Sequence, residues 1–384
     1  MGYLKNKQIN LLNLHAILRR FSASIIDIFG SIYFLQQGIS LQIVLAVWLV
    51  NFLIRISARP ISLKLVQKIG LKKSTIIGSI IYSGLFPIIA QVNGVSIWLL
   101  IFIIYLAIVD IFYWLPFHAF YASSGDSKHR GKELGSLAAV GTIIAGISPI
   151  LGGFLIDTFG FWSAYVLSTI VMIFGVIPLF FSSKIEVKSQ FSYKQAWKEI
   201  DKKGLLLSGG WAILYTFHDF LWIIIMFSIV GNFFVFGGLI GFQMFITAIL
   251  FLLLGHFVDK GKGLNIALVG IIMIIIVIFG RAFYVKDVPS ILIFEIIMAI
   301  ANCFFTSSAN TAFYAITHKS KNPIWFQFFS ESCWDLGSIF SLSIISILVY
   351  FDVDLRNIML LAIPGFWIVY FVLRKYFYKI ELDS

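Results

Sequence analysis

Apolar runs about twenty residues long, separated by short polar breaks, recur along the whole chain. A helix crossing the hydrocarbon core of a bilayer needs about 20 mostly apolar residues. The runs read as twelve spans, at 20–37, 41–63, 74–92, 95–120, 133–156, 161–182, 204–230, 233–257, 264–284, 289–315, 324–350 and 357–378. The breaks carry turn chemistry, as at Gln37-Gly38, Asn93-Gly94, Phe159-Gly160 and Gly231-Asn232. The period-two alternation of a membrane barrel is absent, so an all-α polytopic membrane protein is expected. Asp27 interrupts the first run and no A-x-A-like site follows it, so it reads as an uncleaved helix rather than a signal peptide.

Composition narrows the class further. Of 384 residues, 60% are hydrophobic and only 12% charged, about half the charged share of a soluble domain. A chain so poor in charge could not cover a water-facing surface. Its two cysteines cannot build a disulfide framework, and no CxxC or Cys/His cluster suggests a metal, so neither metal nor cofactor is expected.

The net charge of +11 then has to be explained within a membrane protein. Lys and Arg collect on cytosolic loops. With the N-terminus inside, 26 of the 29 basic residues fall at inner ends and loops, and only Arg281, Lys286 and Arg356 fall outside. Both termini are therefore expected in the cytosol, the membrane being the plasma (cytoplasmic) one. The basic excess reports orientation rather than a nucleic-acid partner.

Residues 183–203 form the longest polar stretch, with Phe191 and Trp197 among six lysines, and are expected to lie along the inner membrane surface. They divide the chain into a first six-helix bundle, 1–182, and a second, 204–384. Shifted by 192 residues the halves correspond: "SASIIDIFGSIYF" meets "LYTFHDFLWIIIMF", placing Asp27 on Asp219, and Lys68 falls on Lys260. The tetrapeptide AFYA recurs at a shift of 193. Six plus six parallel halves imply a secondary transporter with its site between them near the midplane.

At this point the chain resembles the major facilitator superfamily. That family's loop signature, G-x-x-x-D-[RK]-x-G-[RK]-[RK], is approached by "GHFVDKGKG", with Gly255, Asp259 and Lys260 in place, and is degraded in the first half to "LKLVQKIGLKK". The fifth span carries "SPILGG", with Pro149, Gly152 and Gly153, similar to the family's G-P-x-x-G-G but with Ser148 for the first glycine. "KHRGKELGSLAAVG" before it is also family-like. The resemblance implies twelve helices in two pseudo-symmetric bundles, alternating access, and a gating role for Pro149, Gly152, Gly153, Gly255, Asp259 and Lys260. Asp259 would bond helix-end amides or basic residues in one state only. Packing and turn geometry alone would also account for the glycines.

Six acids lie within spans: Asp27, Asp110, Asp219, Glu295, Glu331 and Asp335. A central membrane charge costs about 2.5–3.5 kcal/mol on insertion scales, so such residues face a cavity or a partner. Helical spacing groups Asp110, Trp114 and His118; Tyr215, His218, Asp219 and Trp222; Glu295, Asn302, Thr306 and Asn310; and Gln327, Glu331, Asp335 and Ser338. These stripes converge on an acidic, aromatic-walled cavity. Acids in a water-poor site take up protons more readily than in bulk water, so proton coupling is expected at Asp27, Asp110, His118, His218, Asp219, Glu331 and Asp335, with Trp114, Trp222 and Asn302 beside them. Bland alternatives stand open. Asp27 could pair with Arg55, Glu295 could be an acid wetted from outside, and His118 could be a solvated boundary residue.

The leading expectation is a single-chain, proton-coupled exporter of a small amphipathic or cationic solute. A proton symporter importing a small polar nutrient comes second, and a non-transporting sensor third. An enzyme would need a nucleophile–base or metal constellation that the sequence lacks. Two departures bear on the exporter reading: the fourth span has no Arg or Lys, where proton antiporters of the family often carry an arginine, and the fifth-span motif lacks its leading glycine.

Overall fold

The computed structural model describes residues 7–124, 130–184, 192–257, 263–320 and 322–383. The first half contains α1 (Lys7–Ser24), a 3₁₀ turn (Asp27–Phe29) and α2 (Gly30–Gln36), which together make one span, and then α3 (Leu41–Ile69). The third span is α4 (Leu71–Ser83) with α5 (Leu85–Ile89); α6 (Ile97–Ser124), α7 (Arg130–Phe159) and α8 (Phe161–Phe180) complete the half. A short helix, α9 (Tyr193–Glu199), leads to the second half. There α10 (Lys202–Leu214), a π-helical turn (Tyr215–Phe220) and α11 (Leu221–Val230) form the seventh span. It continues with α12 (Phe233–Phe257), α13 (Gly263–Phe283), α14 (Val288–Lys319) and α15 (Pro323–Tyr350). The twelfth span joins α16 (Leu355–Met359), a 3₁₀ turn (Leu360–Ala362) and α17 (Ile363–Asp383).

Among the described residues, ten of these spans are long and apolar enough to cross a membrane. The other two, the first and third, are broken at Asp27 and Gly84. All four glycines expected at turns adopt positive φ, between 66° and 79°, a region that L side chains rarely enter. The first span starts at Lys7 rather than at residue 20. Its added turns bury Ile9, Leu12 and His15 against α8 and α6, with His15 Nδ1 2.7 Å from the Gly175 carbonyl. Arg19 and Arg20 are thereby drawn into the bundle.

Two seams join the halves: α7 against α12, and α3 against α15. In the first, small residues bring backbones into contact. A Cβ on Gly153 or Gly237 would collide with the carbonyls of Phe233 or Pro149, and one on Gly241 would lie 2.5 Å from the Gly146 carbonyl oxygen. Gly152 faces the other way, onto Ile25 just past the end of α1. At one end of this seam Asp157 accepts the backbone N–H groups of Phe233 and Phe234, at 3.3 and 2.8 Å, and so caps α12 from the opposite half. This end is the face opposite the one where α1 begins and α17 ends, here called the terminal face.

At the terminal face α9 docks on α15 through rings. Tyr193 and Trp197 lie 5.1 and 5.0 Å from Phe329, and a Ser192–Gln195 capping box starts the helix. Phe191 lies outside the described residues.

Candidate functional site

The second seam is electrostatic. Arg55 and Arg59 stand one turn apart on α3, and Glu331 and Asp335 one turn apart on α15. Arg55 donates to Asp110 of α6 at 3.1 Å, lies 3.0 Å from Asp335 Oδ1, and reaches Glu331 at 3.7 Å. Arg59 pairs with Asp335 and stands 3.6 Å from Glu331. Trp114 Nε1–H donates to the other oxygen of Asp110 at 2.9 Å, and His118, stacked on Trp114, is 4.0 Å from Glu331. Two guanidinium groups therefore face three carboxylates across the interface. Asp335 has no exposed surface, and a charge so placed persists only with its partners, since stripping one partner from a buried pair costs about 3–5 kcal/mol. The positive charge missing from the fourth span is supplied to Asp110 by Arg55 of the second.

Beside this network is a cavity of about 550 Å³ whose wall includes Asp27, Arg19, Arg20, Arg55, Asp110 and Glu331. Three arginines against three acids make it charge-balanced, not acidic as the spacing had suggested. The sequence tally had put Arg19 and Arg20 in solvent. Instead Arg19 lies over Trp114, Tyr113 and Tyr82, with its guanidinium carbon 4.3, 5.1 and 5.5 Å from the ring centroids. Arg55 is committed to α6 and α15, so the alternative Asp27–Arg55 pair does not form. Asp27 is exposed to the cavity and, among the described residues, takes neither a hydrogen bond nor an ion pair. It sits in the turn that breaks the first span. Its repeat-mate Asp219 sits in the π-helical turn that distorts the seventh.

A second network lies within the second half. Arg281, expected on the outer side, and Glu295, for which a position wetted from outside stood open, are both buried and pair at 2.5 Å. Arg281 also donates to His218 Nε2 at 2.9 Å and lies 4.2 Å over Trp222, whose own N–H donates to Glu295 at 2.8 Å. With Nε2 accepting, His218 is neutral and its Nδ1–H points at Asp219, 2.8 Å away. Trp222 thus turns from the solute space to Arg281. His218, Asp219 and Asn302 line a second cavity, of about 280 Å³, which shares Arg20 with the first.

The structure brings together Asp110, Trp114, His118, Glu331 and Asp335 around two arginines, and separately His218, Asp219 and Asn302. Pro149, Gly152 and Gly153 are placed at close helix contacts, while Gly255 lies on α12. Asp259 and Lys260 lie outside the described residues. Arg19, Arg59, Asp157 and Arg281 were missed. An arginine four residues after Arg55 inside an apolar run was the available signal for Arg59.

Twelve spans in two halves, with a charged cavity at their interface, define the architecture of a secondary transporter. The family model of the Major Facilitator Superfamily matches residues 12–342, and the chain belongs to that family. The E. coli fucose:proton symporter superposes with a TM-score of 0.67 at 13% identity, over 96% of this chain and 98% of its own. The human organic anion transporter MFSD10 gives 0.67 at 9% identity, over 96% and 99%. At these identities the likeness is one of fold. No curated protein matches the chain. Family and fold point to a transporter of small molecules and not to an enzyme.

Proposed function

We propose that the protein is a proton-coupled exporter of a small amphipathic solute, acting as a single chain by alternating access. The observation that carries this reading is Asp27, a carboxylate open to the larger cavity with no ion-pair partner among the described residues. A group that both faces the solute and takes the proton serves one at a time, and that competition yields exchange. The aromatic wall around it, with Trp48, Phe52, Trp114 and Trp334, suits the apolar part of such a solute, and the carboxylate suits a cationic or hydrogen-bond-donating head. The bundles 1–182 and 204–384 would rock about the two seams, with 183–203 as the tether. Pro149, Gly152 and Gly153 would let α7 slide, and Gly255, Asp259 and Lys260 would gate the terminal face.

The terminal face is assigned to the cytosol. Taking Arg19, Arg20, Arg55 and Arg59 out of the inner tally and Arg281 out of the outer one leaves 22 basic residues against 2, so the bias survives their removal.

A second reading, proton symport into the cell, is favoured by Asp335. Fully buried among arginines, it could carry a proton without competing with solute. The permanently charged probe ethidium separates the two in proteoliposomes with an imposed pH gradient. Exchange accumulates it in the acidic compartment and co-transport in the alkaline one, whichever way the protein is inserted. No gradient-driven flux beyond protein-free vesicles, for ethidium or for a panel of polar nutrients, would leave the sensor reading.

A further inference from the structure

We propose that the second cavity is a solute subsite for a neutral, hydroxyl-rich group. The inference deepens the transporter reading, because it treats the cavity as part of the solute path, but it does not depend on proton coupling.

The cavity presents three primary amides: Gln243 of α12, and Asn302 and Asn310 of α14. Gln243 is more than nine-tenths buried. At Gln243 and Asn302 it is the backbone carbonyls that hydrogen-bond, accepting from Thr247 at 2.9 Å and Thr306 at 2.6 Å. None of the three amide side chains has a partner among the described residues. Buried amides are ordinarily paired, because an unmet donor or acceptor there forfeits its bonds to water. Gln243 is the buried one, while Asn302 is half-buried and Asn310 exposed; an unpaired buried amide, with two more opening on the same space, suits an occupant.

The chemistry of that occupant follows from what the wall offers. Each amide donates through its NH₂ and accepts through its oxygen. Thr247 and Thr306 spend their protons on the backbone and keep lone pairs facing outward. A cation can only donate and would leave the NH₂ groups unmet, while an anion can only accept and would leave the oxygens unmet. A hydroxyl does both. Asp219 and Arg20 bring opposite charges to the same cavity, so its field selects neither sign, and Trp211, set edge-on to Phe305 with centroids 6.0 Å apart, supplies an apolar plate for the C–H face of a polyol ring.

The test is thermal stabilisation of the full chain in lipid nanodiscs, with no pH gradient. The probes are a panel of neutral hexoses, pentoses and alditols, set against choline and benzoate at equal concentration. At least one neutral polyol is expected to raise the unfolding midpoint by a few degrees, as binding to the native state alone requires. Choline and benzoate should not act through these amides. The shift should vanish in Asn302→Leu and Gln243→Met. Asn310→Leu, at an exposed position, provides a third variant should either of these fail to fold. A panel that leaves wild type unshifted would mean that the cavity holds water only and would overturn the proposal. A polyol shift that survives all the variants that fold would overturn it equally. Neither result touches the ethidium test, so the subsite and the proton coupling fail separately.

Discussion

Arg59 of α3 and Asp335 of α15 form a buried ion pair across the interface between the halves. Arg59 lies about 15 Å from the Ile69 end of its helix and about 27 Å from the Leu41 end, at 1.5 Å per residue, so the pair closes the half of the seam nearer the terminal face. Asp157 closes the other seam at the opposite face. Alternating access then needs these two closures to open in turn.

Removing one partner of the first closure should be worse than exchanging both. Arg59→Gln is expected to destabilise the protein by up to about 3–5 kcal/mol, read as a lowered thermal midpoint, and to lower transport at least tenfold. The swapped double variant Arg59→Asp/Asp335→Arg should recover part of both losses. No recovery in the swap, together with an unchanged midpoint in the single variant, would show that the pair contributes nothing.

Asp27→Asn keeps the size of the side chain and removes its titration. The amide mimics the protonated, solute-releasing state, so ethidium counterflow should weaken and accumulation driven by the pH gradient should fall more than tenfold. Retained accumulation would move the proton to another carboxylate.

The α7–α12 seam predicts a contrast between adjacent positions. A methyl on Gly237 meets the Pro149 carbonyl, whereas one on Gly238 meets nothing within 4 Å. Gly237→Ala should cost about 1–3 kcal/mol through overpacking, and Gly238→Ala should be near neutral. Similar midpoints for the two would show that the backbones are not held at contact.

Arg281 and Glu295 should be coupled. Arg281→Gln leaves Glu295 buried and uncompensated and frees His218 Nε2, so it should be strongly destabilising. Adding Glu295→Gln removes the uncompensated charge and should restore stability. A double variant less stable than Arg281→Gln, by thermal unfolding, would contradict this.

Much of the fold was legible because membrane burial writes long apolar runs and leaves glycine at the turns between them. Positive φ at Gly38, Gly94, Gly160 and Gly231 follows directly from those breaks. The acids were legible for the same reason: Asp110, Glu331 and Asp335 stand out in apolar helices and do converge. Their arginine partners were not. Arg19 and Arg281 lie near the ends of apolar runs, where a basic residue reads equally well as a loop charge, and only the packing of α1 against α6, and of α13 against α14, shows the first half-buried over rings and the second buried. The cavity was therefore expected to be acidic when it is balanced. Asp157 falls one residue past the expected fifth span, 133–156, yet it performs the helix-end capping expected of Asp259.

The claim that the Arg59–Asp335 pair opens and closes during transport can be read as a distance. Gln67→Cys on α3 and Lys202→Cys on α10 are exposed positions near the terminal face, in opposite halves. They can carry spin labels in a background without Cys303 and Cys333, the cysteines of the chain. Pulsed electron spin resonance in nanodiscs should show two distance populations whose ratio shifts between pH 8 and pH 5, and Asp335→Asn should hold the longer one at both pH values. A single distance, unmoved by pH and by Asp335→Asn, would contradict the account.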